Sequence, residues 1–145
     1  MGQTNVAELM GGSRVLGKAV HSPLELADLI EAGLPRETAQ QVREHLHLTE
    51  QEMAECLGVS TKTLQRLAKQ PKALLSPVQG DRLYRLARIV ALAEQVFEDT
   101  GRAHAWLREP QRGLGYRIPL EVMRTEIGAR EVENLLGRIE YGVLS

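Results

Sequence analysis

Apolar and polar positions follow one another along this chain with the period of a helix. From residue 22 onward, apolar residues recur every three or four positions, and no run of four or more residues alternates as a half-buried strand does. The longest predicted helix runs from Pro77 to about Asp99. Its apolar stripe comprises Leu83, Leu86, Val90, Ala93 and Phe97. The pattern therefore predicts an all-α fold.

Capping residues mark where several of these helices begin. Thr49 is followed three positions later by Glu52, and Ser76 by Gln79, so each pair can form a capping box that satisfies free backbone N–H groups. Ser22, which directly precedes a proline, begins an earlier helix. These signals predict several short helices before residue 76 and a long one after it.

The two ends of the chain carry different signals. Residues 1–21 contain four glycines and no sustained period, which predicts a flexible N-terminal arm. Near the other end, a loop rich in Gly and Pro at 110–119 precedes a helix predicted from Ala129 to Tyr141. Gly142 then supplies a residue that can end this helix in the left-handed conformation.

Residues 50–67, EQEMAECLGVSTKTLQRL, meet the requirements of a DNA-binding helix-turn-helix. Ala54 is small where the two helices cross, Gly58 can adopt the positive φ of a three-residue turn, and Val59 fills the corner. Four further residues are expected to share one core: Met53, Leu57, Leu64 and Leu67. Taken alone, the pattern also fits an αα-hairpin with a glycine corner.

The exposed face of the second helix carries groups that suit DNA recognition. Hydroxyl, amide and cationic side chains are the ones that contact bases and phosphates in the major groove. The residues predicted to do so are Ser60, Thr61, Lys62, Gln65, Arg66 and Lys69. Between Cys56 and Gly80 the chain has four Lys or Arg residues and no Asp or Glu, so positive charge is concentrated here. Over about residues 35–70 the pattern resembles the Xre-type, lambda-repressor-like helix-turn-helix family.

Composition limits the remaining possibilities. With 145 residues, 43% hydrophobic and 26% charged, the chain suffices for one medium domain or two very small ones that share a core. Its net charge of -1 argues against a protein that is basic all over. A single cysteine excludes an internal disulfide, and we find neither a membrane-spanning stretch nor a signal-peptide pattern. We therefore expect a cytoplasmic protein without a membrane partner.

No group of residues has the spacing of a catalytic or metal site. Cys56 lies within a predicted helix, where a buried thiol is more typical than a nucleophile. His45 and His47 are two residues apart, which does not place two ligands on one helix face. His104, near a predicted helix start, is expected at the surface or in a cap. We expect no enzymatic activity, no cofactor and no metal in this chain.

The second half contains a series of short motifs around its glycines and prolines. They are Trp106-Leu107, Pro110, Leu114-Gly115, Pro119-Leu120, Gly128-Ala129 and Tyr141-Gly142. This series resembles the C-terminal toxin-binding domain of antitoxins from RES–Xre systems and their mycobacterial and ParS-like relatives. One departure is Tyr116, where relatives often carry a second glycine. Together with the helix-turn-helix, the resemblance covers about residues 35–145.

The resemblance implies a lambda-repressor-like helix-turn-helix region at residues 22–75 and a small helical domain at residues 76–145 that binds a toxin and dimerises. It further implies an antitoxin that covers the active-site cleft of a RES-domain, NAD-degrading toxin and that represses its own operon by binding operator DNA as a homodimer. On the residues alone, the alternative is a stand-alone transcriptional regulator whose second half only dimerises or senses a ligand.

The end of the last helix is where toxin contacts are expected. The candidates are Arg138, Tyr141, Gly142, Val143, Leu144 and Ser145. Tyr and Arg are enriched at binding hot spots, and the terminal carboxylate would add a negative charge suited to a phosphate-binding cleft. For Tyr141 the alternative is a place in the core, and for Arg138 a solvated helix face. The sequence does not decide whether Arg82, Arg85 and Arg88 face solvent, DNA or toxin.

Overall fold

The computed structural model describes residues 5–142, and within that range the chain forms ten α-helices and no sheet. The helices are α1 (Val6–Leu9), α2 (Gly12–Leu16), α3 (Pro23–Ala32), α4 (Arg36–Leu46), α5 (Glu50–Leu57), α6 (Thr61–Ala68), α7 (Pro77–Phe97), α8 (Thr100–Arg108), α9 (Pro119–Val122) and α10 (Glu126–Glu140). A 3-10 turn at Arg112–Leu114 lies between α8 and α9. The predicted all-α fold class is confirmed.

Residues 5–87 form one compact unit, here called the N-terminal unit. Its core is aliphatic, and its fully buried large side chains are Met10, Leu34, Leu46, Met53, Leu57, Leu75, Leu83 and Leu86. An isolated antiparallel bridge joins Pro35 to Leu74. Beside it, the N–H of Leu75 donates to the carbonyl of Leu34 at 2.8 Å. This link ties the segment after α6 to the start of α4.

The described part of the predicted flexible arm is folded. The helices α1 and α2 lie in it, both contact α4, and their neighbourhood buries Leu9, Met10 and Leu16. Helices of four and five residues are too short to show a period, so they could not be predicted from the pattern of apolar residues. Their order comes from tertiary burial of these three apolar side chains.

Residues 88–142 belong to a second compact unit, here called the C-terminal unit. Its core includes Trp106, and the ring of the half-buried Phe97 lies against the Trp106 ring, tilted by 46° with centroids 5.7 Å apart. The two units divide within α7, after Ala87, whereas the sequence suggested residue 75. The difference arises because the first turns of α7 pack within the N-terminal unit, where a Cβ on Gly80 would touch Ile30 at 3.3 Å.

Local capping signals gave accurate helix starts in most places. Thr49 and Glu52 form the expected capping box, with bonds of 3.0 and 2.8 Å, and Ser76 and Gln79 form another, with bonds of 3.1 and 2.9 Å. The last helix begins three residues earlier than predicted because Thr125 is its N-cap and accepts the N–H of Gly128 at 3.0 Å. None of the helices within residues 5–142 combines the length and apolar character needed to cross a bilayer.

Candidate nucleic-acid and protein interfaces

The helices α5 and α6 meet at a tight glycine turn. Gly58 has φ of 70°, as the turn requires, and Ala54, 2% exposed, lets the two helices approach closely. Of the four predicted core residues, Met53 and Leu57 are fully buried. Leu64 and Leu67 are only half-buried, so the predicted shared core is incomplete on the α6 side.

Arg82 from α7 lies against this turn. Its Nη1 donates to the carbonyl of Leu57 at 3.2 Å, where a cation also complements the partial negative charge of the α5 C-terminus. A Cβ on Gly58 would collide with the same Nη1 atom. The left-handed backbone therefore favours glycine at this position, and any larger residue would also have to displace the guanidinium from the turn. This contact assigns Arg82 to the turn, a role that the sequence left open.

We expect the Gly58→Ala variant to be destabilised by about 1 to 3 kcal/mol, because a left-handed alanine is strained and its methyl group would displace Arg82. Chemical denaturation of the two proteins measures the difference. The Arg82→Met variant leaves the backbone of Gly58 unstrained, so it should lose less stability than Gly58→Ala. Equal stability of Gly58→Ala and the parent chain would show that neither the left-handed backbone nor the contact with Arg82 depends on glycine.

The predicted DNA-contacting residues lie on and beside α6. Ser60 caps this helix by accepting the N–H of Thr63 at 3.0 Å. Thr61 is half-buried, and the other predicted contacts are exposed: Ser60, Lys62, Gln65, Arg66 and Lys69. The outer face of α6 therefore presents three cations and an amide without any carboxylate of its own.

A carboxylate from α5 reaches this face. The Nε2 of Gln65 donates to Glu50 Oε1 at 2.9 Å, a contact across 15 residues of sequence that the helix-turn-helix pattern did not indicate. The bond restricts the rotation of the Gln65 amide while leaving its carbonyl oxygen and second N–H open. Those two groups are the pair that binds the N6 and N7 positions of adenine. Glu50 also reduces the positive potential at this edge of α6.

The outward face of α10 carries two of the three large hydrophobic side chains that are exposed within residues 88–142. Ile127 is 79% exposed and Tyr141, at the C-cap, is 82% exposed. Asn134, Gly137 and Arg138 lie between them at helical spacing, and a Cβ on Gly137 would meet nothing within 4 Å. Tyr141 therefore does not lie in the core of the described chain. We call Ile127, Asn134, Gly137, Arg138 and Tyr141 the α10 face.

Gly142 follows with φ of 78°, the left-handed conformation that the sequence predicted for the end of this helix. Its N–H donates to the carbonyl of Ile139 at 3.1 Å. The remaining predicted toxin contacts, Val143, Leu144 and Ser145, lie outside the described residues.

Most of the C-terminal motif residues build the unit itself. Trp106, Leu107, Pro119, Leu120 and Ala129 are buried. Tyr116, the departure from the motif series, has φ of 65°, which is a conformation that glycine adopts without strain. The structure thereby explains why a glycine suits this position. These buried motif residues stabilise the fold, whereas Tyr141, from the last motif of the series, is exposed on the α10 face.

Two side-chain contacts connect helices inside the C-terminal unit. Arg88 makes a bidentate contact with Glu133, at 2.9 and 3.1 Å. Arg88, whose role the sequence left open, therefore links α7 to α10. The Nε2 of His104 lies 2.6 Å from an oxygen of the buried Glu94. The expectation that His104 is a surface or capping residue was wrong, because α8 directs its side chain towards Glu94 of α7. Sequence signals at a helix end do not predict a contact with another helix.

Comparison with known proteins adds independent findings. Residues 25–88 match the Xre-like helix-turn-helix domain of antitoxins, and residues 92–142 match the C-terminal toxin-binding domain of Xre/MbcA/ParS antitoxins. The antitoxin Xre of Yersinia enterocolitica is 29% identical over 133 residues, which cover 91% of this chain and 89% of the relative. A Sphingobium protein named Prs ADP-ribosylating antitoxin is 25% identical over 133 residues, which cover 86% of this chain and 83% of the relative.

A solved structure is also similar. One chain in the crystal structure of the M. tuberculosis MbcT–MbcA toxin–antitoxin complex aligns with a TM-score of 0.56 and 26% sequence identity. The alignment covers 76% of this chain and 96% of that chain.

Proposed function

Since this chain belongs to the Xre family of antitoxins, we propose that the toxin it neutralises is a RES-domain enzyme that degrades NAD. The chain is an antitoxin with a toxin partner. The match of residues 92–142 to a toxin-binding domain disfavours the alternative, a stand-alone regulator whose second half only dimerises or senses a ligand. The motif series at residues 106–142 supports the RES assignment, because it resembles the antitoxins of RES–Xre systems.

Inhibition is proposed to be steric. The α10 face would enter or cover the active-site cleft of the toxin, with Arg138 and Tyr141 as its anchors and residues 142–145 extending the contact. The observation that carries this proposal is the exposure of Tyr141, 82%, at the end of a helix in the matched toxin-binding domain. A large exposed side chain with an apolar ring and a polar hydroxyl is typical of a binding hot spot.

The toxin chemistry can be tested by co-expression with the adjacent gene of the operon. The toxin alone should arrest growth and deplete cellular NAD, and co-expression of this chain should restore both. The name of the Sphingobium relative refers to ADP-ribosylation, a reaction that also consumes NAD but attaches its ADP-ribose to an acceptor. If growth arrest comes with ADP-ribosylated protein and little free ADP-ribose, the toxin transfers ADP-ribose to an acceptor, and the proposed NAD degradation is wrong.

Deleting residues 142–145 should abolish neutralisation of the toxin while leaving the chain folded. The expected cause is the loss of contacts beyond Tyr141, and the measurement is growth rescue together with co-purification of the toxin. A full-length variant with Val143→Ser and Leu144→Ser keeps the chain length and the terminal carboxylate. If this variant neutralises the toxin only partly, the effect of the deletion is due to apolar contacts of Val143 and Leu144. If the truncated chain rescues growth fully, residues 142–145 have no role in neutralisation.

We further propose that the chain represses its own operon in the cytoplasm by binding operator DNA as a homodimer through α6. Two N-terminal units would present two recognition helices to successive half-sites. The exposed cations Lys62, Arg66 and Lys69 support phosphate contact, and Gln65 supports base recognition.

Replacing Lys62 and Arg66 with alanine should weaken binding to DNA from its own promoter by about tenfold or more at moderate salt. The slope of log affinity against log salt should also fall by about 1.8, since each lost phosphate contact contributes about 0.9. Electrophoretic or fluorescence titrations at several salt concentrations measure both quantities. Lys18→Ala, which removes an exposed cation outside α6, is the matched control and should change neither. An unchanged slope in the double variant would place the DNA-binding surface elsewhere.

A further inference from the structure

A cleft of about 440 Å³ lies between α4 and α6 in the N-terminal unit. Its apolar wall is formed by Leu48, Met53, Leu64, Leu67 and Leu75. The size lies within the range of small-molecule sites in proteins. No residue of α6 is fully buried, so the leucines of this eight-residue helix are only partly covered by the rest of the unit. An apolar ligand in the cleft would cover them.

The α4 side of the cleft is polar and carries more positive than negative charge. Arg36, Gln40 and Arg43 lie on one face of α4, with Glu44 beside them. The carboxylate of Glu44 accepts the amide of Gln40 at 3.1 Å, and Arg43 Nε donates to the carbonyl of Leu48 at 3.1 Å. These polar groups therefore already have partners within the chain.

Arg36 differs from its neighbours. Its Nε is buried and finds no hydrogen-bond partner among residues 5–142, and its Nη2 lies 4.0 Å from Glu37, at the limit of an ion pair. A buried N–H without an acceptor is costly. The Nε is closed off from the cleft, but the Arg36 side chain lines the cleft and is 21% exposed, so the rest of its guanidinium can still bind an anion there.

We propose that the cleft between α4 and α6 binds a small amphipathic carboxylate, whose charged end lies against the guanidinium of Arg36 and whose apolar body lies against Leu64 and Leu67. Such a ligand would place a negative charge beside Arg36 and cover the half-buried leucines of α6. The site belongs to the N-terminal unit alone and is independent of the proposed toxin chemistry.

Octanoate and octan-1-ol form a matched pair of probes, since they share an eight-carbon body and differ in the carboxylate. Calorimetric titration of the full chain should give saturable one-to-one binding of octanoate, with octan-1-ol weaker by about tenfold or more. Amide exchange of Leu64 and Leu67 should slow when octanoate is bound. Failure of octanoate to saturate, or equal affinity for the two probes, would refute the site.

Variants locate the binding. Arg36→Met keeps the apolar stem and should lower octanoate affinity about tenfold while leaving octan-1-ol unchanged. Ala68→Trp, at an exposed position that borders the cleft, should weaken both probes by filling the space. Lys18→Met removes an exposed cation elsewhere in the unit and should change neither. If Arg36→Met does not fold, the comparison of the probes on Ala68→Trp decides, and unchanged octanoate binding there overturns the proposal.

Discussion

The Gly128→Ala variant is expected to lose about 3 to 5 kcal/mol of stability, enough to unfold the C-terminal unit. A Cβ at this position would overlap the carbonyl oxygen of Val122, the last residue of α9, and a backbone atom cannot move aside as a flexible side chain can. The segment before α10 would have to shift together with the N-cap bond from Thr125. Thermal melts and amide exchange in residues 88–142 measure the loss, and toxin neutralisation should disappear with the fold.

Gly137→Ala is the matched control, since it places the same substitution in the same helix. A Cβ there would meet nothing within 4 Å, and alanine in a helix interior is favoured over glycine by about 0.5 to 1 kcal/mol. This variant should therefore be slightly more stable than the parent chain. If both glycine variants lose stability equally, the cause is not the close approach of α9 to α10.

Replacing Tyr141 with alanine should reduce affinity for the toxin by about 2 kcal/mol or more, a factor of roughly 30. The side chain is 82% exposed, so its removal should leave the fold unchanged and take away contact area from the α10 face alone. Calorimetry with the purified toxin gives the change in affinity, and a thermal melt of the free antitoxin confirms that it remains folded.

Two further variants test whether Tyr141 itself contacts the toxin, or whether removing any exposed aromatic side chain lowers the affinity. Tyr116→Gly removes another exposed tyrosine, 69% exposed, from a left-handed position where glycine is unstrained, and it should leave toxin affinity unchanged. Gly137→Ala adds a methyl group to the α10 face and should weaken toxin binding without lowering stability. Full affinity in both Tyr141→Ala and Gly137→Ala would show that the toxin binds another face.

Local features of this chain could be predicted from sequence because each depends on residues a few positions apart. The capping pairs Thr49–Glu52 and Ser76–Gln79 formed as expected, and Gly58 adopts the positive φ that its turn requires. The family resemblance gave both domain types, which the comparisons confirm. The periodic stripe of α7 was also predicted well, since Leu83, Leu86, Val90 and Ala93 are all buried.

Contacts between distant segments could not be predicted in the same way. The guanidinium of Arg82 over Gly58, the pair of His104 with Glu94, and the carbonyl of Val122 against Gly128 each join residues from different elements. Their partners are set by how the helices pack, which no spacing rule specifies. The short helices α1 and α2 were missed for a related reason, because their order depends on burial against α4 and not on their own sequence.

The hydrogen bond between Glu50 and Gln65 has a consequence for how related operons in one cell stay separate. Glu50 lies at the first position of α5 and orients the amide that we assign to base recognition. A substitution at position 50 would change which edge Gln65 presents to DNA while every residue of α6 stayed the same. Under the DNA-binding role that we propose, paralogous antitoxins would acquire distinct operators through a residue that touches no base, and regulatory cross-talk would disappear before the recognition helix itself changes.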